Sequence, residues 1–261
     1  MPSAEITAYW DERSVTYSNG VKDELESIDQ REAWEDVLNS FAPLDVDRVA
    51  NNNVPRVVDL GCGPGFFSII YASHGWQVDA VDASGAMLQR ASHNLARYRH
   101  VGHVEFHCSD VSSLPFANNS FDLAISRNVT WLLSDPVETY AEWLRVLAPG
   151  GKLVVFDANW YRYLVDPDLN VARMQDQVSE GPERSDARAT PEEELRCERI
   201  AATLPLTSEL RPAWDEKTLK SLGAKHVAVH ENVWQQLWTP AEKAYYRTSP
   251  LFMVVAEKAR P

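Results

Sequence analysis

Val57-Val58-Asp59-Leu60-Gly61-Cys62-Gly63-Pro64-Gly65 is the stretch that decides the fold. An apolar, β-branched run passes directly into a turn with glycine at alternate positions and then into the apolar segment that starts at Phe66, the order strand, turn, helix. Glycine at 61, 63 and 65 permits positive φ and lets a ligand lie against bare backbone. The spacing is G-x-G-x-G, whereas the dinucleotide fingerprint needs G-x-G-x-x-G, and Phe66 holds the place of its third glycine. A carboxylate at Asp59 faces a pyrophosphate badly and suits a ligand that carries an ammonium group.

From this turn outward, short β-branched runs alternate with helical patterns, which predicts an α/β, doubly wound, mostly parallel sheet covered on both faces. Strands are expected at 56–60, 77–82, 104–107, 121–126 and 152–157, with helices at 66–74, 84–97 and 136–147. The last helix has the clearest start: Asp135 can cap it, Pro136 takes its first position, and Pro149-Gly150-Gly151 stops it. Further on, 215–222 reads as a helix and 226–229 and 251–257 as two strands, making seven, with an antiparallel hairpin at the C-terminal edge. Between them 158–211 holds no sustained period and is too long for an ordinary connection, so an inserted helical lid is expected there. The division is a helical cap over 1–53, a core from 54–157 and 212–261, and the lid over 158–211.

The chain has 261 residues, 44% of them hydrophobic, enough for one elaborated domain with a sizeable core. A formal charge of −13, with twelve acidic against three basic residues in the first 47, repels phosphate backbones and makes nucleic acid a poor partner. Cys62, Cys108 and Cys197 form no CxxC pair, which fits a reducing cytoplasm rather than a disulfide framework or a structural zinc site. The pairs His103/His107 and His226/His230 lie in strand-like segments without a third ligand near in sequence, so no metal is expected. No stretch is apolar enough to span a membrane, and the first residues do not read as a secretory signal. A cytoplasmic protein is the expectation.

With these features in place, the chain resembles the class I S-adenosylmethionine-dependent methyltransferases, specifically the small-molecule enzymes related to those of ubiquinone biosynthesis. The resemblance runs from about Val54 to Asn159 and rests on the 59–65 turn, on Val81-Asp82-Ala83-Ser84 twenty-one positions after the first glycine, and on Cys108-Ser109-Asp110-Val111. Leu114-Pro115-Phe116, Ser120-Phe121-Asp122 and Val146 to Lys152 also match in order. It implies S-adenosyl-L-methionine as cofactor. By the same resemblance Asp59, Gly61, Gly63 and Gly65 hold its methionine part, and Asp82 with Ala83 takes the ribose. Met87 packs on the adenine, and Asp110 with the Val111 amide reads the ring. Arg127 and Asn128, at the end of the fourth strand, line the junction between cofactor and acceptor. Trp10, Arg13 and Tyr17 share one helix face, and Tyr9 or Tyr17 is expected to reach the ligand from the N-terminal cap.

Each signal has a plainer reading. Asp82 also suits the cap of the following helix and Asp110 a turn, Cys62 suits simple packing, and Trp160, Tyr161 and Tyr163 suit either lid core or acceptor-pocket walls. Methyl transfer is an in-line displacement that needs positioning above all, and Asp157 and Tyr161 are candidate bases by placement only, so no catalytic residue is assigned. The acceptor is expected to be a small molecule. The competing functions are a protein that binds the cofactor without catalysis and a nicotinamide-dependent oxidoreductase.

Overall fold

A computed structural model describes residues 4–42, 44, 54–98, 102–179 and 189–260. The end of the expected cap, 45–53, and residues 180–188 of the expected lid lie outside the described residues. The core sheet is built from β1 (Arg56–Leu60), β2 (Gln77–Asp82), β3 (Val104–Cys108), β4 (Phe121–Arg127), β5 (Leu147–Asp157), β6 (Lys225–His230) and β7 (Phe252–Glu257), hydrogen-bonded in the order β3-β2-β1-β4-β5-β7-β6. The first five pair in parallel, while β7 runs antiparallel to both β5 and β6. The two late strands therefore do pair antiparallel, but β7 slots between β5 and β6 and leaves β6 as the outer strand. Two short helices, Trp234–Leu237 and Pro240–Tyr245, join them, where the sequence pattern showed none.

Alternate residues of each central strand feed opposite cores, because a parallel sheet wrapped on both sides has no solvent face. Val57, Leu123, Ile125, Val154 and Phe156 face one cluster, and Val58, Ala124, Leu153 and Val155 face the other. Against the first face lie α1 (Ala4–Glu26), α2 (Ile28–Asn39) and α3 (Phe66–Ser73), whose residues from Phe66 to Ala72 are all buried. Trp34 of α2 locks this layer, edge-on to Phe66, Phe67 and Phe156 at 5.1–5.5 Å, with its Nε1 donating to Glu24 at 2.7 Å. α4 (Gly85–Leu95) follows β2, and α5 (Pro136–Val146) precedes β5, capped by Asp135, which accepts the Glu138 amide at 3.0 Å.

The segment after β5 carries α6 (Pro167–Ser179) and α7 (Pro191–Ala201), then runs into α8 (Ala213–Ser221). It is tied to the sheet by Arg211, which donates to Asp157 at 2.9 Å, to Asp215 at 2.7 Å and to Thr130 at 2.6 Å. Arg211, Asp157 and Asp215 are all buried, and Tyr140 adds a hydrogen bond to Asp215. Neighbouring carboxylates overcome the burial of the Arg211 guanidinium and hold its pKa well above the ordinary arginine value. No helix among the described residues is long and apolar enough to cross a membrane.

Candidate functional site

The strand order reverses between β1 and β4, and at such a switch point the carboxyl ends of the strands open a crevice. The turn after β1 is pinned at that place: the Gly61 and Cys62 amides donate to the Val81 carbonyl of β2 at 2.8 and 2.9 Å. Gly61 is at φ +69°, and a Cβ there would meet Val129 at 2.4 Å, so no side chain fits. Gly63, at φ +50°, differs because a Cβ would project into open space, with only Tyr17 at 3.8 Å. That bare backbone is a cradle which any larger residue would fill.

In front of it lies a cavity of about 190 Å³. Ten of the twelve residues assigned to the cofactor from the sequence line it: Tyr17, Gly61, Gly63, Asp82, Ala83, Met87, Asp110, Val111, Arg127 and Asn128. Asp59 and Gly65 do not. The Asp59 carboxylate is turned into the protein and accepts the Ser68 amide at 2.9 Å and the Ser68 hydroxyl at 2.6 Å, anchoring the start of α3. Gly65 faces Ala91 of α4 instead of the cavity. These two residues shape the turn from behind.

Asp82 accepts the Gly63 amide at 2.9 Å and the Ser84 amide at 2.8 Å, so its carboxylate joins the turn to the start of α4. The cap of α4 is Ser84 itself, whose hydroxyl accepts the Met87 amide and donates to Asp11 of α1 at 2.5 Å. Burial raises the Asp82 pKa to about 6, with Asp11 adding to the rise and the amide bonds opposing it. Burial likewise raises Asp59 to about 7, against the lowering effect of Ser68. Asp110 lines the cavity and also turns the chain, accepting the Ser112 amide at 2.9 Å. The plain reading of Asp82 as the cap of α4 does not hold, because Ser84 is the cap, whereas the turn reading of Asp110 coexists with a place on the cavity wall.

A second chamber, of about 560 Å³, opens on the other side of Trp10, Tyr17, Arg127 and Asn128, which line both spaces. Asn128 sits at φ +59°, a strained region for a residue with a side chain, held by its amide to Phe156 and its carbonyl to Trp131. Arg127 pairs with Glu24 at 2.9 Å and stacks on Trp34 and Phe66 at 4.6 and 4.7 Å. On this shared wall the buried atoms Trp10 Nε1, Arg127 Nη1 and Asn128 Oδ1 have no hydrogen-bond partner among the described residues. Buried polar atoms left open are costly, and three at one wall make it a candidate for ligand contact.

A family model described as a methyltransferase domain matches residues 58–155. Residues 58–155 are a class I methyltransferase domain. Demethylmenaquinone methyltransferase from Renibacterium salmoninarum is 36% identical over 155 residues, covering 58% of this chain and 57% of that protein. Among solved structures, phosphoethanolamine N-methyltransferase 2 of Haemonchus contortus with S-adenosyl-L-methionine is 17% identical at TM-score 0.58, covering 93% of this chain and 57% of that one. An S-adenosylmethionine-dependent methyltransferase from Aquifex aeolicus is 20% identical at TM-score 0.55, covering 93% and 98%. At those identities the two structures establish the fold. The chain spans about half the length of the curated relatives it matches, 46% and 57% of the first two.

The methyltransferase domain supplies all of the smaller cavity's lining but Ile6, Thr7, Trp10 and Tyr17, and segments outside it supply most of the larger chamber. Trp10, Thr7 and Ile6 of α1, with Val129 and Leu132 to Asp135 after β4, complete the smaller cavity. Of these, Trp10 had a sequence signal in its shared helix face with Tyr17 and Asp135 one as the cap of α5; no local pattern places the others. Of the two tyrosines expected to reach a ligand, Tyr17 lines both spaces and Tyr9 only the larger one. Asp157 is removed as a base. It is fully buried and already accepts from Trp131, Ala158, Trp160, Thr130 and Arg211. Tyr161 donates to Cys197 Sγ at 2.9 Å, and burial raises its phenol well above the ordinary range, which leaves it no basic form near neutral pH. Asp79, Glu105 and His107 bring ligand atoms within 4.8 Å of one another, but Arg56 already pairs with Asp79 at 2.9 Å, and none of them lines either chamber.

Proposed function

We propose that this chain transfers a methyl group from S-adenosyl-L-methionine to a small-molecule acceptor. The observation that carries the reading is the pair of chambers sharing one wall, with a bare glycine backbone and a carboxylate on one side and a roomier space on the other. When bound, the cofactor supplies an electrophilic methyl group on a sulfonium. Residues 61 to 63 offer backbone to its amino-acid part, and Asp82, ionised above about pH 6, accepts from ribose hydroxyls. Asp110 and the Val111 amide face the base, and Met87 packs on it. Arg127 and Asn128 present a donor and an acceptor where the two chambers meet.

The chain's catalytic work is positional: α1 and the 158–211 segment hold the acceptor and exclude water, an effect that supplies roughly 7–11 kcal/mol in well-oriented reactions. The reading of 158–211 as a lid and of 1–53 as a cap belongs to this proposal. A chamber of about 560 Å³ beside the first, with Trp131, Trp160, Tyr161 and Trp238 on its wall, favours catalysis over a cofactor-binding sensor, for which a closed or hydrophilic second space is expected. The alternating glycines, with Phe66 in the third fingerprint position, disfavour a nicotinamide enzyme. Incubation with methyl-labelled cofactor and pooled amines, phenols, thiols and carboxylic acids tests the proposal. Label transfer and S-adenosylhomocysteine formation, both lost in Asp82→Ala, support it; no label transfer to any pool by a protein that binds the cofactor supports the sensor instead.

A further inference from the structure

The larger chamber is walled by aromatic rings in two groups. Trp160, Trp238 and Tyr246 pack at centroid distances of 5.3–6.4 Å. Trp131, Tyr161 and Tyr163 pack at 4.7 and 6.1 Å. Three of them have their polar atoms engaged: Trp160 Nε1 donates to Asp157 at 2.8 Å, the Tyr161 hydroxyl to Cys197 and the Tyr163 hydroxyl to Glu198 at 2.6 Å, the last two acceptors lying on the same wall. What these residues can offer a ligand is ring face, negative at its centre. One face already holds a cation, since the Arg173 guanidinium lies 4.0 Å from the Tyr163 centroid.

The charged residues on the same wall point the same way. Asp23, Glu24, Glu194, Glu198 and Glu242 line the chamber, against Arg13, Arg127 and Arg173. Arg127 pairs with Glu24 at 2.9 Å and Arg173 with Glu198 at 3.8 Å, so these charges offset in pairs and the wall keeps a net excess of two carboxylates, five against three guanidiniums. No lysine or histidine is among the lining residues described. An anionic acceptor meets repulsion here, and a neutral one leaves the acidic excess unanswered. A chain of net charge −13 also draws cations toward such a cleft.

Resting on the methyltransferase reading above, we infer that the larger chamber receives an organic ammonium group, so that the methyl acceptor is an alkylamine and its product a more highly methylated ammonium ion. An ammonium that still carries a proton first gives it to water; the neutral amine nitrogen then forms the new N–C bond with its lone pair, and the electrons of the broken S–C bond stay on sulfur. The positive charge passes from sulfur to nitrogen. A tertiary amine ends as a quaternary ammonium with no proton to lose, while a primary or secondary amine sheds one proton to water. The ring faces serve both ends of this passage, because a cation faces them before and after it.

The test is calorimetric titration of the full chain, saturated with S-adenosylhomocysteine, with choline and with its uncharged carbon isostere 3,3-dimethylbutan-1-ol. Choline is expected to bind about tenfold or more tightly than the isostere. Trp160→Leu should lower choline affinity by about fivefold or more while keeping S-adenosylhomocysteine affinity within about twofold, which certifies the fold. Glu194→Gln, on a half-exposed helical residue, should lower it by about threefold. Equal affinity for the two probes, or no choline binding at millimolar concentration, overturns the inference. Failure of the protein to take up S-adenosylhomocysteine at the first step strikes the cofactor reading instead, so the two failures are told apart.

Discussion

The two chambers share a wall but are made of different materials. The smaller is glycine backbone, carboxylates and apolar side chains set mostly at the ends of neighbouring strands, gathered by the topology of the sheet and closed on one side by α1. The larger is rings and carboxylates drawn from α1, from the segment after β5 and from the connection between β6 and β7. A site built on strand ends is fixed once the sheet register is fixed, since β1, β2 and β4 can hardly slide without breaking both cores. A site built from added helices is free to change its chemistry while the first stays constant.

The strongest way to break that comparison is to detach the added segment from the sheet. Arg211→Ala leaves Asp157 and Asp215 buried without their shared cation, and should cost about 3–5 kcal/mol in urea unfolding. A loss below about 1 kcal/mol would mean that the segment is held by its apolar contacts alone. Next in size is Asp82→Ala, expected to weaken S-adenosylhomocysteine binding about tenfold to a hundredfold through loss of charged hydrogen bonds. Choline affinity in the neighbouring chamber should stay within about twofold, the readout that the two spaces are separable.

A pH series sharpens the comparison at lower amplitude. Burial puts Asp82 at about 6, so it is ionised at pH 7.5 and mostly protonated at pH 5. S-adenosylhomocysteine affinity should therefore fall about tenfold between those values, a step that Asp82→Ala abolishes in calorimetry. For stability the sign is opposite. Asp59 near 7 and Asp82 near 6 both take up a proton in the fold before they would in the unfolded chain. Their contribution to stability thus grows as pH falls from about 7 toward 4. The smallest effect is expected for Asp59→Asn, where an amide oxygen can still accept from Ser68. Cofactor affinity should change less than about threefold, and a loss as large as that of Asp82→Ala would put the Asp59 carboxylate on the ligand after all.

The strand ends were legible because local physics writes them: β1 and β2 begin and end where alternation and turn glycines place them, and Asp82 follows at the fixed distance that one crossover imposes. Asp59 misled for a physical reason. A carboxylate beside a glycine turn has the same sequence whether it points to a ligand or back to the amide of Ser68. The larger chamber was only half visible. Trp160, Tyr161 and Tyr163 come directly after β5, so their place at the carboxyl edge could be read, but Trp238, Tyr246, Glu24 and Glu242 reach it through helix packing that no period records. The insertion of β7 between β5 and β6 was hidden likewise, since strand order depends on which edge a returning chain finds open.

The central claim is that the cavity over Gly63 and Asp82 takes a nucleoside sulfonium rather than a dinucleotide, and one measurement addresses it directly: calorimetric titration of the intact protein with S-adenosyl-L-methionine, with NAD run in parallel. The expected result is saturable binding of S-adenosyl-L-methionine, with a dissociation constant in the micromolar range, and no heat from NAD. Binding of NAD without S-adenosyl-L-methionine would contradict it.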